Sequence, residues 1–125
     1  MNVLKILQVL VNIIMKRITF GLIAEYVAIV IYKIKFYQIL HHRKRYYVGE
    51  IDIIALRGKQ LVFIEVKARR SDVDDRILST HQQSRIKRYA SIFLSSNPKY
   101  QNYQVRFDLI IIKPYSIPII IENAW

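Results

Sequence analysis

Three acids and one lysine lie close together in the stretch from Gly49 to Lys67, GEIDIIALRGKQLVFIEVK. The acids are Glu50, Asp52 and Glu65, and most residues around them are apolar. Neighbouring carboxylates repel each other, so one of them has a raised pKa unless a cation lies between them. Mg²⁺ takes such oxygen ligands, and a nearby lysine can orient a water or stabilise charge on a phosphate. The residue types therefore favour metal-assisted chemistry on a phosphate, and a solvated face with a weak surface ion pair stays open as the alternative.

The same stretch has the pattern of a β-hairpin. Two runs rich in Ile, Val, Leu and Phe flank the polar turn at residues 57–60, where Gly tolerates positive φ. A loop formed by the two middle residues of this turn pairs Asp52 with Glu65 and Glu50 with Lys67, and puts all four side chains on one face. The opposite face would then carry four apolar residues, Ile51, Ile53, Ile64 and Val66.

Several segments resemble the YraN-like family of small predicted endonucleases. Asp52, followed after the hairpin by Glu65-Val66-Lys67, is similar to the D…(D/E)-x-K signature of restriction-endonuclease-like nucleases. The closer resemblance lies in four segments that occur in the same order and extend from about Gly21 to the C-terminus. These segments are GEIDIIA at 49–55, VFIEVKAR at 62–69, RFD at 106–108 and ENAW at 122–125.

The resemblance implies an α/β fold, a restriction-endonuclease-like sandwich in which helices flank a mixed sheet with a central hairpin. It also implies a site for Mg²⁺ or Mn²⁺, with one or two ions left open. Asp52, Glu65 and the carbonyl of Val66 would hold the ion, and Lys67 would act on the attacking water or the transition state. Glu25 resembles the first-helix Glu of the family and would complete the metal shell directly or through water; the alternative is a Glu paired to a nearby base.

A helix is predicted from Ser79 or Thr80 to about Leu94. Gln82 lies in its first turn, where the family usually has a basic residue and many superfamily members place a Gln or Lys against the scissile phosphate. The resemblance therefore implies that Gln82, or its neighbour Gln83, assists catalysis. A polar first turn without a catalytic role is the alternative.

The charge of the chain indicates a polyanionic partner. It has 125 residues, a net charge of +11 and no Cys, which excludes disulfides and thiolate nucleophiles and suits the cytoplasm. DNA is favoured over RNA, and an anionic membrane surface is a third partner with this chemistry. Three basic clusters are expected to contact the nucleic-acid backbone: Arg43, Lys44 and Arg45; Arg69 and Arg70; and Arg85, Lys87 and Arg88.

Three further segments have simpler interpretations. The basic run 41–45 is a solvated loop or a backbone contact, and its neighbours His41 and His42 would face opposite ways on a strand, which argues against a shared metal. The acidic loop 72–75 lacks the EF-hand pattern and is expected to cover the site. Arg106 and Asp108 share one face of a strand at 104–113, and we expect them to have a structural role.

Residues 1–18 are predicted to form an apolar and basic helical extension outside the resemblance. We expect this helix to pack on the domain or on a partner, with contact to a membrane surface as the next alternative, and its apolar run is too short to span a bilayer. Residues 19–125 would form the endonuclease-like domain, beginning with a second helical segment over 19–35. A homodimer stays open.

The leading functional hypothesis is a metal-dependent endonuclease that hydrolyses phosphodiester bonds of DNA, with branched or processed DNA among its substrates. The alternative is a non-catalytic nucleic-acid-binding or assembly module that retains a nuclease fold. The basic clusters fit both hypotheses. The acids favour the enzyme, because a protein that only binds has no need of carboxylates near a phosphate.

Overall fold

A computed structural model describes residues 2–69, 78–114 and 116–125, with the backbone alone at residues 14–19. The described elements are helix α1 (Val3–Ile34), strands β1 (Gln38–Tyr46), β2 (Gly49–Arg57) and β3 (Gln60–Ala68), helix α2 (Thr80–Ser96), a short 3₁₀ helix (Pro98–Tyr100), and strands β4 (Gln104–Ile112) and β5 (Ile119–Ile121).

The five strands form one mixed sheet in the order β1-β2-β3-β4-β5. Neighbouring strands are antiparallel except β3 and β4, which are parallel. A parallel pair needs a crossover connection, and α2 provides it on one face of the sheet. Helix α1 packs on the other face, so the predicted α/β sandwich with a central hairpin flanked by helices is confirmed.

Each face of the sheet has its own apolar core. On the α1 side, Ala24, Ala28 and Tyr32 recur every four residues and form the buried stripe of the helix against β2 and β3. On the α2 side, Phe63 lies at the centre of an aromatic cluster with Tyr89 and Phe93. The two cores fix both helices relative to the hairpin that carries the candidate site.

The predicted hairpin turn is correct. Gly58 has a φ of +59°, and Arg57 pairs with Gln60 as a two-residue loop requires. Ile54 pairs with Phe63, which also follows from that loop. The local turn chemistry was therefore sufficient to set the register next to the turn.

The ladder between β2 and β3 is shorter than predicted, while its pairs keep the predicted register. It ends at Ile53–Ile64, so the predicted pairs of Asp52 with Glu65 and of Glu50 with Lys67 are not part of it. Ile51 packs in the core on the α2 side, whereas Ile53 packs on the α1 side. On β1, Arg43 lies between the partners of Ile53 and Ile51 and has a φ of +60°. A left-handed residue interrupts the pleat, so the alternation of faces does not continue through it.

Helix α1 is continuous, so the two predicted helical segments are one helix. Each of residues 2–13 is exposed, so this part does not pack on the domain, and the alternative that it packs on a partner stays a prediction. Among the described residues, no helix combines the length and the apolar composition needed to cross a membrane.

Arg106 and Asp108 have the predicted structural role. Asp108 is fully buried and accepts hydrogen bonds from Arg106 Nε at 2.8 Å and from the Tyr32 hydroxyl at 2.8 Å. The backbone N–H of Asn123 donates to the same carboxylate at 3.0 Å. This network joins α1, β4 and the C-terminal segment across the α1 side of the sheet. The short strand β5 pairs with β4 at the edge of the sheet.

Candidate active site

The centre of the candidate site lies where β2 and β3 separate, beyond the Ile53–Ile64 pair. The side chain of Asp52 turns into this gap and accepts a hydrogen bond from the backbone N–H of Val66 at 2.7 Å. A side-chain oxygen thus satisfies a strand N–H beyond the described ladder. The contact fixes the Asp52 carboxylate beside the first residues of the E-x-K segment.

Glu65 lies next to Asp52, close enough for the two carboxyl groups to interact. Burial and the neighbouring Asp52 carboxyl raise the pKa of Glu65 to about 8. Burial also raises the pKa of Asp52, against the opposing effect of the Val66 N–H. The positive charge of Lys67 acts on both carboxyls in the opposite direction. The predicted trio therefore meets, although the paired ladder ends before it.

One oxygen of the Glu65 carboxyl group, Oε2, is buried without a hydrogen-bond donor among the described residues. Arg85 Nη2 lies 3.8 Å away, close enough for attraction but beyond hydrogen-bonding distance. A buried carboxylate oxygen without a donor is costly, and a cation beside Asp52 and Glu65 would remove that cost.

The donor set also fits a hard divalent cation. Asp52 and Glu65 supply carboxylate oxygens, and Val66 supplies a carbonyl on the same strand as Glu65. The described residues contain no group of three His, Asp or Glu side chains that could form a metal cage. Mg²⁺ does not require such a cage, because it usually keeps several waters and binds one or two carboxylates together with a substrate phosphate.

Arg85 is a site residue that the sequence reasoning assigned to the nucleic-acid surface. Its Nη1 atom donates to the carbonyl of Glu50 at 3.0 Å, while Nη2 approaches Glu65. Gly49 makes this position available, because a Cβ atom there would lie 2.8 Å from Arg85 Nη1. A glycine inside a strand often marks such a close approach, but the pattern does not say which group approaches.

Glu25 has a different set of partners from the predicted one. Arg43 contacts its carboxylate through two nitrogens, with Nε at 3.0 Å from Oε1, and His42 Nε2 lies 3.2 Å from the same oxygen. Burial alone would raise the pKa of Glu25, but Arg43 and His42 outweigh burial and lower it. The charge of Glu25 reaches Asp52 and raises its pKa. Glu25 is therefore next to the site but paired to bases, and its part in a metal shell stays a prediction.

The two glutamines of the first turn of α2 are engaged by the helix end. Gln82 forms a capping box with Ser79, in which its N–H donates to Ser79 Oγ at 3.1 Å and its side chain accepts from the Ser79 N–H at 3.4 Å. Gln83 Nε2 donates to the carbonyl of Leu78 at 2.9 Å. These contacts explain both residues structurally, and a catalytic role for Gln82 stays a prediction.

The basic clusters are partly surface and partly structural. The run 41–45 belongs to β1 and is not a loop, because its residues pair with β2. His41 contacts Phe93 on the α2 side and His42 contacts Glu25 on the α1 side, so the predicted opposite orientation is confirmed. The exposed cations among the described residues of these clusters are Arg43, Arg45, Lys87 and Arg88, whereas Lys44, Arg69 and Arg85 are half-buried. Arg70 and the acidic loop at 72–75 lie outside the described residues.

A five-stranded mixed sheet between helices, with an Asp and a Glu-x-Lys where two strands separate, defines an α/β protein with a restriction-endonuclease-like sandwich. The chain belongs to the family described as "Uncharacterised protein family UPF0102", whose model matches residues 24–112. It is 43% identical over 108 residues to a UPF0102 protein of Ehrlichia ruminantium, covering 86% of this chain and 84% of that protein.

Other relatives give the same assignment. A UPF0102 protein of Mesorhizobium japonicum is 40% identical over 102 residues, which cover 81% of this chain and 82% of that protein. A UPF0102 protein of Parvibaculum lavamentivorans is 35% identical over 106 residues, which cover 84% of this chain and 80% of that protein. The site elements β2 and β3 lie inside the segment that the family model matches.

Proposed function

We propose that this protein is a Mg²⁺-dependent endonuclease of the YraN-like type that hydrolyses phosphodiester bonds of DNA. One observation carries the proposal: the carboxyl groups of Asp52 and Glu65 adjoin each other beside Lys67, with the buried Oε2 of Glu65 lacking a donor within the described chain. This arrangement destabilises the metal-free site electrostatically, and a divalent cation would relieve it.

Each residue of the candidate site has a separate role in the proposed hydrolysis. Hydrolysis forms a bond from a water oxygen to phosphorus and breaks the bond from phosphorus to a sugar oxygen, while the water loses a proton and the leaving oxygen gains one. When bound, Mg²⁺ supplies Lewis-acid activation of the phosphate and lowers the pKa of a bound water. The Val66 N–H keeps Asp52 in place, and Asp52 and Glu65, with the Val66 carbonyl, hold the ion. The Lys67 ammonium stabilises negative charge on the phosphate or orients the water.

The charge distribution supports a nucleic acid as substrate. The net charge is +11, and exposed cations occur on β1 at Arg43 and Arg45 and on α2 at Lys87 and Arg88. Such cations attract the phosphate backbone without reading its sequence. The choice of DNA follows from the resemblance to restriction-endonuclease-like nucleases.

The test separates metal binding from cleavage. Mn²⁺ is titrated into the full chain by calorimetry with a short non-cleavable duplex present, and a panel of linear, flapped and branched DNA is then incubated with Mg²⁺. The wild type should bind Mn²⁺ and cut at least one substrate. Asp52→Asn keeps an acceptor for the Val66 N–H but removes the charge, so it should lose both activities while it still binds DNA.

The matched control is Glu122→Gln, which removes a half-exposed carboxylate that pairs with Lys35 and Arg106 and not with a residue of the site. It should bind Mn²⁺ and cleave like the wild type. Equal cleavage by wild type and Asp52→Asn would overturn the site assignment. Lys67→Met should bind Mn²⁺ and DNA but cut more slowly, which separates its role from that of the carboxylates.

A non-catalytic nucleic-acid-binding module is the second candidate. The observation in its favour is that Glu25 and Gln82, two residues expected to assist catalysis, are engaged by Arg43 and by the helix cap. This candidate expects salt-dependent DNA binding that is unchanged by Asp52→Asn, with neither Mn²⁺ binding nor cleavage in the wild type.

A further inference from the structure

The N-terminal part of α1, residues 3–13, is a projecting apolar helix that we call the N-terminal arm. Each residue of the arm is exposed, with Leu4 at 72% and Ile6 at 43% as the extremes of its large apolar side chains. The family model begins at residue 24, so the arm lies outside the part of the chain that defines the family. An apolar surface of this extent usually marks a binding site.

The arm is amphipathic, with a narrow polar stripe. At about 100° per residue, Lys5, Gln8 and Asn12 fall within a sector of about 60°. Gln8 and Asn12 are joined within this stripe by a hydrogen bond of 3.0 Å between their side chains. The apolar residues of the arm span an arc of about 220° on the other side, and no polar residue of the arm falls within it. These apolar residues are Val3, Leu4, Ile6, Leu7, Val9, Leu10, Val11 and Ile13.

The charged residues in and near the arm favour a lipid surface over another helix as its partner. In the sequence of residues 1–24 the charged side chains are Lys5, Lys16 and Arg17, and no acid accompanies them. Two copies of the arm packed together would place cations near cations without compensating acids. One partner helix would also leave much of such a wide apolar arc uncovered. A lipid interface can bury the whole apolar arc of the arm at once, and anionic headgroups neutralise the cations.

The geometry places the arm in the plane of a membrane surface. Its 11 residues span about 16 Å, against about 30 Å for the hydrocarbon core of a bilayer. The part of α1 from Ala24 onward is packed on the sheet through Ala24, Ala28 and Tyr32, which attaches the arm to the folded domain. A helix of this kind lies parallel to the surface with its apolar side below the headgroups.

We propose that the N-terminal arm docks the protein on the surface of a membrane that contains anionic lipids. The apolar arc enters the acyl boundary, and the polar stripe with Lys5 stays at the headgroups. The folded domain remains on the aqueous side, with the arm as its point of attachment. This proposal does not depend on the nuclease activity, because none of the site residues belongs to the arm.

The test is flotation of the full chain with vesicles of phosphatidylcholine and phosphatidylglycerol at 3:1, compared with vesicles of phosphatidylcholine alone. The wild type should bind the anionic vesicles more tightly, and added salt should weaken the difference. Leu7→Ser with Leu10→Ser should lower binding by on the order of a hundredfold, because two buried Leu side chains are lost. Lys5→Gln should lower binding to the anionic vesicles about fivefold, because it removes the cation of the polar stripe.

The matched control is Gln8→Ser with Asn12→Ser, which introduces the same residue twice on the polar stripe. It should change binding by no more than about threefold, since polar-face residues do not enter the apolar layer. Circular dichroism and thermal unfolding check that each variant is folded, which the exposure of residues 7, 8, 10 and 12 favours.

Two results would overturn the proposal. One is a wild type that does not bind anionic vesicles, and the other is equal loss of binding in the Leu pair and in the control pair. Sedimentation equilibrium is run in parallel. A dimer that Leu7→Ser with Leu10→Ser dissociates, in a protein that binds no vesicle, would assign the arm to a second copy of the chain.

Discussion

The carboxylate of Asp52 takes the place of a strand partner for Val66, accepting its backbone N–H at 2.7 Å where β2 and β3 separate. This single contact positions the first acid of the candidate site relative to the second, because Val66 directly follows Glu65 in β3. The strand geometry and the site geometry therefore depend on the same side chain.

Asp52→Asn should lower the pKa of Glu65 from about 8, because the charge of Asp52 is one of the causes that raise it. Burial is the larger cause, so we expect the pKa of Glu65 to remain above its ordinary value of 4.5. Carbon-13 NMR of the Glu65 carboxyl across pH 4 to 9, in about 1 mM chelator, measures the change. An unchanged titration of Glu65 would show that the two carboxyls do not interact.

The metal-free protein should lose stability as the pH rises between about 5 and 8. The pKa of Glu65 is raised in the folded state, so its contribution is complete below 4.5 and is lost as the pH passes through about 8. Urea unfolding of wild type and Glu65→Gln should show a free-energy difference that moves against the wild type across this range. His41, whose pKa burial lowers, acts in the opposite direction but is present in both proteins. A constant difference would contradict the assignment.

Gly49→Ala should destabilise the fold by about 1–3 kcal/mol. Gly49 has a φ of +131°, and the new Cβ would meet Arg85 Nη1 at 2.8 Å. Gly21→Ala is the matched control, because Gly21 lies within α1 and a Cβ added there would meet nothing within 4 Å. Since Ala favours helices, Gly21→Ala should raise stability by about 0.5–1 kcal/mol. Thermal and urea unfolding measure whether each substitution lowers or raises the free energy of unfolding.

Arg43→Ala should cost about 1–3 kcal/mol, because among the described residues it leaves the Glu25 carboxylate with His42 as its hydrogen-bond partner. That carboxylate is only 10% exposed, so water replaces the lost guanidinium poorly. Arg45→Ala on the same strand is the control, since Arg45 is 76% exposed and lies 4.0 Å from Glu50. It should change the unfolding free energy by less than about 0.5 kcal/mol. Equal effects of the two substitutions would contradict a structural role for the Glu25–Arg43 pair.

Tyr32→Phe should cost about 1–3 kcal/mol, because it removes a hydroxyl donor from the fully buried carboxylate of Asp108. Tyr26→Phe is the matched control on the same helix, at a side chain that is largely exposed. It should be close to neutral. Urea unfolding with separate probes of α1 and of the sheet checks whether the loss is global, as expected for a network that joins α1 to β4.

Local patterns predicted much of the fold correctly. The turn at Gly58 could be predicted because positive φ is a property of one residue, and the pairing next to the turn follows from its length. The helix that begins near Ser79 could be predicted because its N-terminal cap is formed by residues that are close in the sequence. The buried Arg106–Asp108 pair could be predicted because both residues lie on one strand and share a face.

The errors share a physical cause, which is that they concern distant parts of the chain. The change of face between Ile51 and Ile53 lies opposite the left-handed backbone of Arg43 on the neighbouring strand. The contacts of Arg85 were not predicted, because α2 brings that side chain to Gly49 and Glu65, and its part in nucleic-acid binding stays a prediction. No periodicity within a segment contains this information.

The sequence by itself determined the elements and the residue types at the site, since turns, caps and apolar periodicity depend on residues a few positions apart. Asp52, Glu65 and Lys67 were identified from their types and spacing. Only the tertiary structure decided which base neutralises which acid: Arg43 pairs with Glu25, and Arg85 approaches Glu65. Such pairings depend on how helices dock against the sheet, because the strength of a charge interaction depends on distance and burial in the folded chain.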